Sequence, residues 1–294
     1  MPNSTLKWIF LCLLALVWGS SFILIKKALI GLTPLQVGSL RSLFAAIFLI
    51  FIGLRSIRTI KGKQWMWITF SGFFGTFFPA YLFSFAETEI DSAIVSILNS
   101  TTPLLSMLVG IALFEAAFIR KKFIGVMVGL VGTTALIWSG ANVNPDQNYW
   151  YSLLVILASL FYGFNANVIK KHLQTLPALA ITTGDFIVIA IPALAVLAST
   201  GFFSMEVLSA PDVSMSLLYV GILGVIGTGA ALIVFNKLIQ ISDPVFSTSV
   251  TYLVPIVALS WGVLDGEKFT LIQLLSGGII IIGVLIVNSR FKKR

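Results

Sequence analysis
The side chains of this sequence that could handle a polar solute gather in two stretches. The first, Asp91 to Glu115, reads DSAIVSILNSTTPLLSMLVGIALFE, and its polar patch Asn99-Ser100-Thr101-Thr102 runs directly into Pro103. The second, Asp243 to Glu267, reads DPVFSTSVTYLVPIVALSWGVLDGE. At an offset of 152, Asp91 falls on Asp243, Pro103 on Pro255, Gly110 on Gly262 and Glu115 on Glu267. Matches at a proline, a glycine and both terminal carboxylates are poorly explained by chance and indicate an internal duplication. Ser96, Asn99 and Pro103 recur as Thr248, Thr251 and Pro255, spaced i, i+3 and i+7, so each set lies on one face of its helix. Polar groups in hydrocarbon are costly and usually face a cavity or a neighbouring helix. A proline in such a helix frees a carbonyl, which is tolerated where a cavity or neighbour satisfies it. The two faces, with Tyr252, are therefore candidates to line a substrate site where the halves meet. The competing reading is that the hydroxyls bond their own backbone and the prolines only kink the helices.

Further candidates lie in matched positions at an offset of 144, where WGSSFILIKK from Trp18 falls on YGFNANVIKK from Tyr162. The first span adds Trp18, Ser21 and Phe22 and the sixth Tyr162, Asn165 and Ile169, and the equivalent aromatic pair Trp18 and Tyr162 could flank a ligand. Aromatic residues also sit at membrane interfaces or pack between helices. Phe78, Tyr81 and Phe85 form an aromatic stripe, of which Tyr81 is the candidate for ligand contact. Arg41 and Asp185, also equivalent at 144, are charges within apolar runs. They could pair, bind a charged solute or couple to protons, or they could be structural contacts, with Arg41 snorkelling to an interface. Glu115 and Glu267 sit at helix ends and read as turn or capping residues.

The elements that must hold these residues are membrane helices. Hydrophobic residues make up 58% of the chain and charged ones 10%, against about a quarter charged in soluble domains. The mean hydropathy is +1.02. Apolar runs of the roughly 20 residues needed to cross a bilayer recur throughout. We read ten spans, near 6–25, 34–54, 65–86, 91–114, 121–139, 149–169, 178–199, 213–238, 244–264 and 269–289. The first is long for a signal peptide and lacks a clear cleavage site. With the N-terminus inside, 15 of the 19 Lys and Arg fall in cytoplasmic segments, which places both termini in the cytoplasm. Net charge +8 then reflects anchoring of spans rather than nucleic-acid binding. Each repeat, 1–140 and 141–294, has five spans, and an odd number makes the second copy enter from the opposite side. Such inverted repeats are associated with alternating access to a midplane site.

The paired Asp–Pro–Gly–Glu spans, the WGSSF motif at Trp18–Phe22 and the glycines Gly125, Gly129, Gly132, Gly277, Gly278 and Gly283 resemble an EamA-type member of the drug/metabolite transporter superfamily. The resemblance covers nearly the whole chain. It implies an all-α fold of ten transmembrane helices built as two inverted five-helix repeats in a bacterial cytoplasmic (inner) membrane. It further implies a secondary transporter, acting on amino acids, metabolites or drugs, with export more common than import. Apolar or aromatic amino acids are the first expectation. A broad exporter or an importer of the same fold is the alternative, and an intramembrane enzyme or a channel the other class. No nucleotide-binding GxxxxGK[ST] motif, histidine pair or metal-type cysteine set occurs, so neither a cofactor nor a metal is expected. Ten spans suffice for a carrier built from a single chain, whose partners are a small-molecule substrate and the lipid bilayer.

Overall fold
In a computed structural model the chain folds into helices joined by short turns, and residues 3–90, 92–138, 148–264 and 271–288 are described. Among them there is no strand. Helix α1 covers Asn3–Ala28 and α2 Pro34–Gly53; α3 runs Gln64–Ala86 and α5 Arg120–Trp138. Between them α4 is built from Ser92–Leu98, a tight 3-10 turn at Asn99–Thr101, and Thr102–Phe114. In the second half α6 spans Ser152–Leu173, α7 Ala178–Ser199, α8 Val213–Ile241 and α10 Leu271–Asn288. Between α8 and α10, α9 joins Pro244–Thr248, a 3-10 turn at Ser249–Tyr252, and Val254–Leu264. Among the described residues six helices, α1, α2, α3, α6, α7 and α8, are long and apolar enough to cross a membrane, and further apolar helices are shorter. The chain is a polytopic helical membrane protein. Asp91, Asp146, Asp265, Glu267, Lys268 and both chain ends fall outside the described residues.

Local chemistry sets several helix ends. Thr33 caps α2 through a reciprocal pair: its hydroxyl accepts from Gln36 N at 3.4 Å while Gln36 Oε1 accepts from Thr33 N at 2.9 Å, with Pro34 at the first helical position. Asp243 caps α9 one way only, accepting from Phe246 N at 3.1 Å ahead of Pro244. Glu115 closes α4 in a left-handed conformation (φ 57°, ψ 27°), where Ala116 N donates to Gly110 O at 2.9 Å. Its exposed side chain meets Lys171 at 3.6 Å.

Two kinds of irregularity recur at matched places in the halves, while the π-helical stretch that ends α6, Ile169–Leu173, has no counterpart in α1. A π-helical stretch interrupts α3 at Phe73–Phe77 and α8 at Leu223–Ala230, and the latter includes the counterparts of the former. The 3-10 turns of α4 and α9 each come shortly before the matched prolines, Pro103 and Pro255. Such turns loosen or tighten the backbone ladder and are common where helices serve a site.

The halves are packed into one another rather than side by side. Helix α2 lies along α7, α5 along α10, α4 along α6, and α1 against both α8 and α9. At the α5–α10 crossing, the Cβ that Gly283 lacks would stand 2.5 Å from Gly129 N, so these backbones touch directly. Ion pairs gather at one end of the bundle, where Lys122 meets Asp243 at 2.8 Å and Lys170 Nζ donates to Ser242 O at 2.7 Å. Glu87 accepts from Ser92 Oγ at 3.1 Å near Lys26, just past the opposite end of α3.

Candidate functional site
The polar centres of the two halves meet. Ser100 Oγ donates to Thr251 O at 2.8 Å, so the 3-10 turns of α4 and α9 are in direct contact. Beside this junction α1, α2, α3, α4, α6, α8 and α9 enclose a cavity of about 80 Å³. That is several times the roughly 10–15 Å³ a single water requires.

Of the residues singled out from sequence, Trp18, Ser21, Phe22, Asn99, Tyr162, Asn165, Thr248 and Thr251 all line this cavity. Trp18 spans it, donating its Nε1 hydrogen to Gly227 O in the π-helical stretch of α8 at 3.0 Å. Its ring meets Phe235 edge-on at 5.0 Å, while Tyr162 stacks on Phe83 at 5.8 Å and Phe83 touches Phe22 at 6.1 Å. These rings make the apolar wall.

The hydroxyls follow the blander of the two readings in one respect. Ser21 donates to Val17 O at 3.0 Å, Thr248 to Pro244 O at 2.8 Å and Thr251 to Thr248 O at 2.9 Å, each within its own helix. Their protons are engaged, and what remains for a ligand is lone pairs. Asn99 Oδ1 accepts from Thr102 Oγ1 at 3.1 Å and Ser159 Oγ at 3.5 Å. Asn165 Oδ1 is buried with no partner at all. The Asn165 amide lies against Gly75, the residue without a side chain in the π-helical stretch of α3.

Three expected residues stand elsewhere. Tyr81 points away from the cavity, its ring over Gly38 and its hydroxyl 2.9 Å from Ser39 Oγ, joining α3 to α2. Tyr252 is fully buried against Gly129, and its hydroxyl donates to Val126 O at 3.1 Å, joining α9 to α5. Ser96 is buried in α4 and is not among the lining residues, its carbonyl accepting from Ser100 Oγ at 3.2 Å. Phe78 and Phe85, flanking Tyr81 in the stripe, are partly exposed on the outer surface.

Arg41 and Asp185 do not pair. Arg41 lines the cavity and its Nε donates to Thr228 Oγ1 at 2.7 Å, while Thr228 passes its own proton to Leu223 O at 3.0 Å. Asp185 is buried away from it between α7 and α3, its Oδ2 accepting from Ser71 Oγ at 2.9 Å. Sequence reasoning did not select Gly75, Thr76, Gly227 or Thr228 for the site, although they all line the cavity. Their signal was present, since Gly75-Thr76 falls on Gly227-Thr228 at the offset of 152. Phe83 and Phe235 gave no signal distinguishable from the other phenylalanines.

The model of the EamA-like transporter family matches this chain twice, over residues 6–138 and 149–289. The chain is 26% identical over 278 residues to "Uncharacterized inner membrane transporter YedA" of Escherichia coli K12, covering 94% of this chain and 88% of that protein. It is 28% identical over 284 residues to "Uncharacterized transporter YdfC" of Bacillus subtilis, covering 94% and 89%. It is also 28% identical to "Probable amino-acid metabolite efflux pump" of Salmonella typhimurium, covering 95% and 93%. A solved crystal structure superposes with a TM-score of 0.74 at 17% identity over 97% of this chain and 96% of that one, which speaks to the fold alone.

Proposed function
We propose, since the chain belongs to the EamA-like transporter family and is a membrane transporter, that it is a secondary carrier of a small amphipathic metabolite. The substrate class that fits best is amino acids, apolar or aromatic, moved outward across a bacterial inner membrane. The observation that carries this reading is the cavity itself, enclosed by helices of both halves and lined by aromatic rings, amides and a guanidinium. An apolar wall with a few convergent polar groups is the usual form of a small-molecule site. The name of the Salmonella relative, which refers to amino-acid metabolite efflux, supports the substrate class and the direction.

Alternating access through this site is the mechanism that two inverted five-helix repeats would provide, with ten spans and both termini in the cytoplasm. Support for that topology comes from the matched π-helical and 3-10 stretches, from the excess of Lys and Arg in alternate connections, and from the meeting of Lys122, Asp243, Glu115 and Lys171 at one end. The prolines following each 3-10 turn give α4 and α9 breaks beside the cavity. Boundaries near 140 between the repeats and function as a single chain belong to the same reading.

The test is counterflow in proteoliposomes with labelled amino acids, nucleosides and small organic acids, with and without a pH gradient. Saturable, stereoselective exchange of amino acids is the expected result. Non-saturable flux would indicate a channel, and absence of exchange across the whole panel in folded protein would refute the reading.

A further inference from the structure
We propose that Arg41 is the anchor for a substrate carboxylate, so that the cavity takes a monocarboxylate that also carries hydrogen-bond donors, as an α-amino acid does. The proposal rests on the cavity being the transport site. Arg41 is the single charged residue in the cavity wall among the described residues. Its Nε donates to Thr228 Oγ1 and the Tyr162 hydroxyl takes a further guanidinium hydrogen, which leaves the remaining N–H groups for a ligand. No carboxylate lies within 4.0 Å of it among the described residues: Asp185, its sequence counterpart, is turned onto Ser71, and Glu87, which accepts from Ser92, acts on Arg41 only from farther away. A cation at membrane depth with no carboxylate in contact is costly, and functional sites are where such groups persist. A carboxylate meets a guanidinium fork through two parallel charge-assisted bonds, which is both strong and directional.

Charge counting limits the ligand to one carboxylate, as in a monocarboxylate or in a zwitterionic amino acid whose ammonium turns to the uncharged acceptors of the wall. One guanidinium balances one carboxylate, whereas a phosphate dianion would leave net negative charge in a cavity with no second cation in its wall. The rest of the wall asks for donors. Ser21, Thr248 and Thr251 have already given their protons to backbone carbonyls, and Asn165 Oδ1 has no partner. A ligand that offers N–H groups to these acceptors and a carboxylate to Arg41 satisfies both ends of the cavity. Its apolar part would lie against Trp18, Phe22 and Tyr162.

The experiment uses the unaltered protein in proteoliposomes and compares matched solutes. Labelled L-phenylalanine, L-leucine and L-methionine are each run against their carboxamides, which keep size and ammonium but lose the carboxylate. The wider panel of nucleosides and small organic acids runs alongside. We expect the acids to exchange and the amides to compete about 10- to 100-fold more weakly, the range of a charge-assisted hydrogen bond. Arg41→Gln should abolish that preference, with the half-saturation concentration for the acid rising towards that of the amide. Arg41→Lys, which keeps the charge without the fork, should fall between. Equal exchange of acid and amide, or exchange confined to solutes without a carboxylate, overturns the anchor while leaving a transporter. No exchange of any solute overturns the transport reading itself. The comparison of solutes on the unaltered protein stands even if an Arg41 variant fails to fold.

Discussion

The contact between Gly75 and Asn165 offers a sharp test of the cavity's geometry. An alanine at 75 would place its Cβ 2.6 Å from Asn165 Cγ, and nearer still to Nδ2. Ordinary contact begins near 3.5 Å, so the amide, whose Nδ2 is the nearest atom, would have to retreat by more than about 1 Å. Asn165 is the end of a side chain rather than backbone, and it can retreat by turning away from its rotamer, at a cost of about 0.5–1.5 kcal/mol. Gly75→Ala is therefore expected to lower unfolding stability by no more than about 1.5 kcal/mol, measured by denaturant titration in micelles. Because Asn165 lines the cavity, its displacement should raise the half-saturation concentration for transport about two- to tenfold, the same energy read as affinity. Asn165→Ala removes the obstacle, so adding Gly75→Ala to that background should cost nothing further. The coupling in the double-mutant cycle would then equal the whole effect of the single substitution. If Gly75→Ala impairs transport equally with and without the Asn165 amide, the steric account of this wall is wrong.

Other expectations follow from individual contacts. Tyr252→Phe removes the bond to the Val126 carbonyl and should cost about 1 kcal/mol of stability, seen as an earlier unfolding midpoint, with transport kinetics unchanged. Asn167 Nδ2 donates to Ser106 O and Gly163 O, both at 2.8 Å, tying α6 to α4; Asn167→Asp would put an acceptor there and should destabilise more than Asn167→Ala. Membrane double-mutant cycles on interhelical bonds, which average about 0.6 kcal/mol, set the floor for that loss. Asp243→Asn should keep the cap on α9 and lose only the half-exposed pair with Lys122, at under about 1 kcal/mol, whereas Asp243→Ala loses both and costs about 1 kcal/mol more. Burial pushes the Glu87 carboxyl well above the ordinary carboxylate range, against the pull of Ser92, Arg41 and Lys26. Its folded form thus holds a proton that the unfolded chain releases, so this contribution to stability is present at acid pH and is lost as pH rises through the raised value. Glu87→Gln should flatten the decline in unfolding midpoint above the ordinary carboxylate range, and an unchanged pH profile would contradict it.

Most helix positions were legible in the sequence because hydrocarbon imposes them: an expected span at 178–199 is found as Ala178–Ser199, and one at 34–54 as Pro34–Gly53. Which residues face the cavity was legible only where the helix is regular. Trp18, Ser21 and Phe22 on α1 fall where a 3.6-residue period puts them. In α9 the 3-10 turn advances about 120° per residue instead of 100°, which helps carry Tyr252 round towards α5 while Thr251 stays at the cavity. In α3 the wider π-helical turn shifts the phase the other way, so Tyr81 faces α2 and Phe83 reaches the cavity. Arg41 was visible as an intramembrane charge, but its partner was not. Thr228 lies 187 positions away, and only the folded chain brings the two together.

The bare crossing of α5 and α10 has a mechanical consequence. With Gly283 against Gly129, and Gly125 so close that its missing Cβ would stand 2.8 Å from Val287 N, there is almost no side-chain layer between the two backbones to re-sort when neighbouring helices shift. A joint without rotamers can rock but cannot repack. The irregular turns, by contrast, lie around the cavity: the wider π-helical ones in α3 and α8 and the tighter 3-10 ones in α4 and α9. Backbone irregularity is thus kept away from this crossing, which in the alternating-access reading proposed above serves as the fulcrum on which the other helices swing.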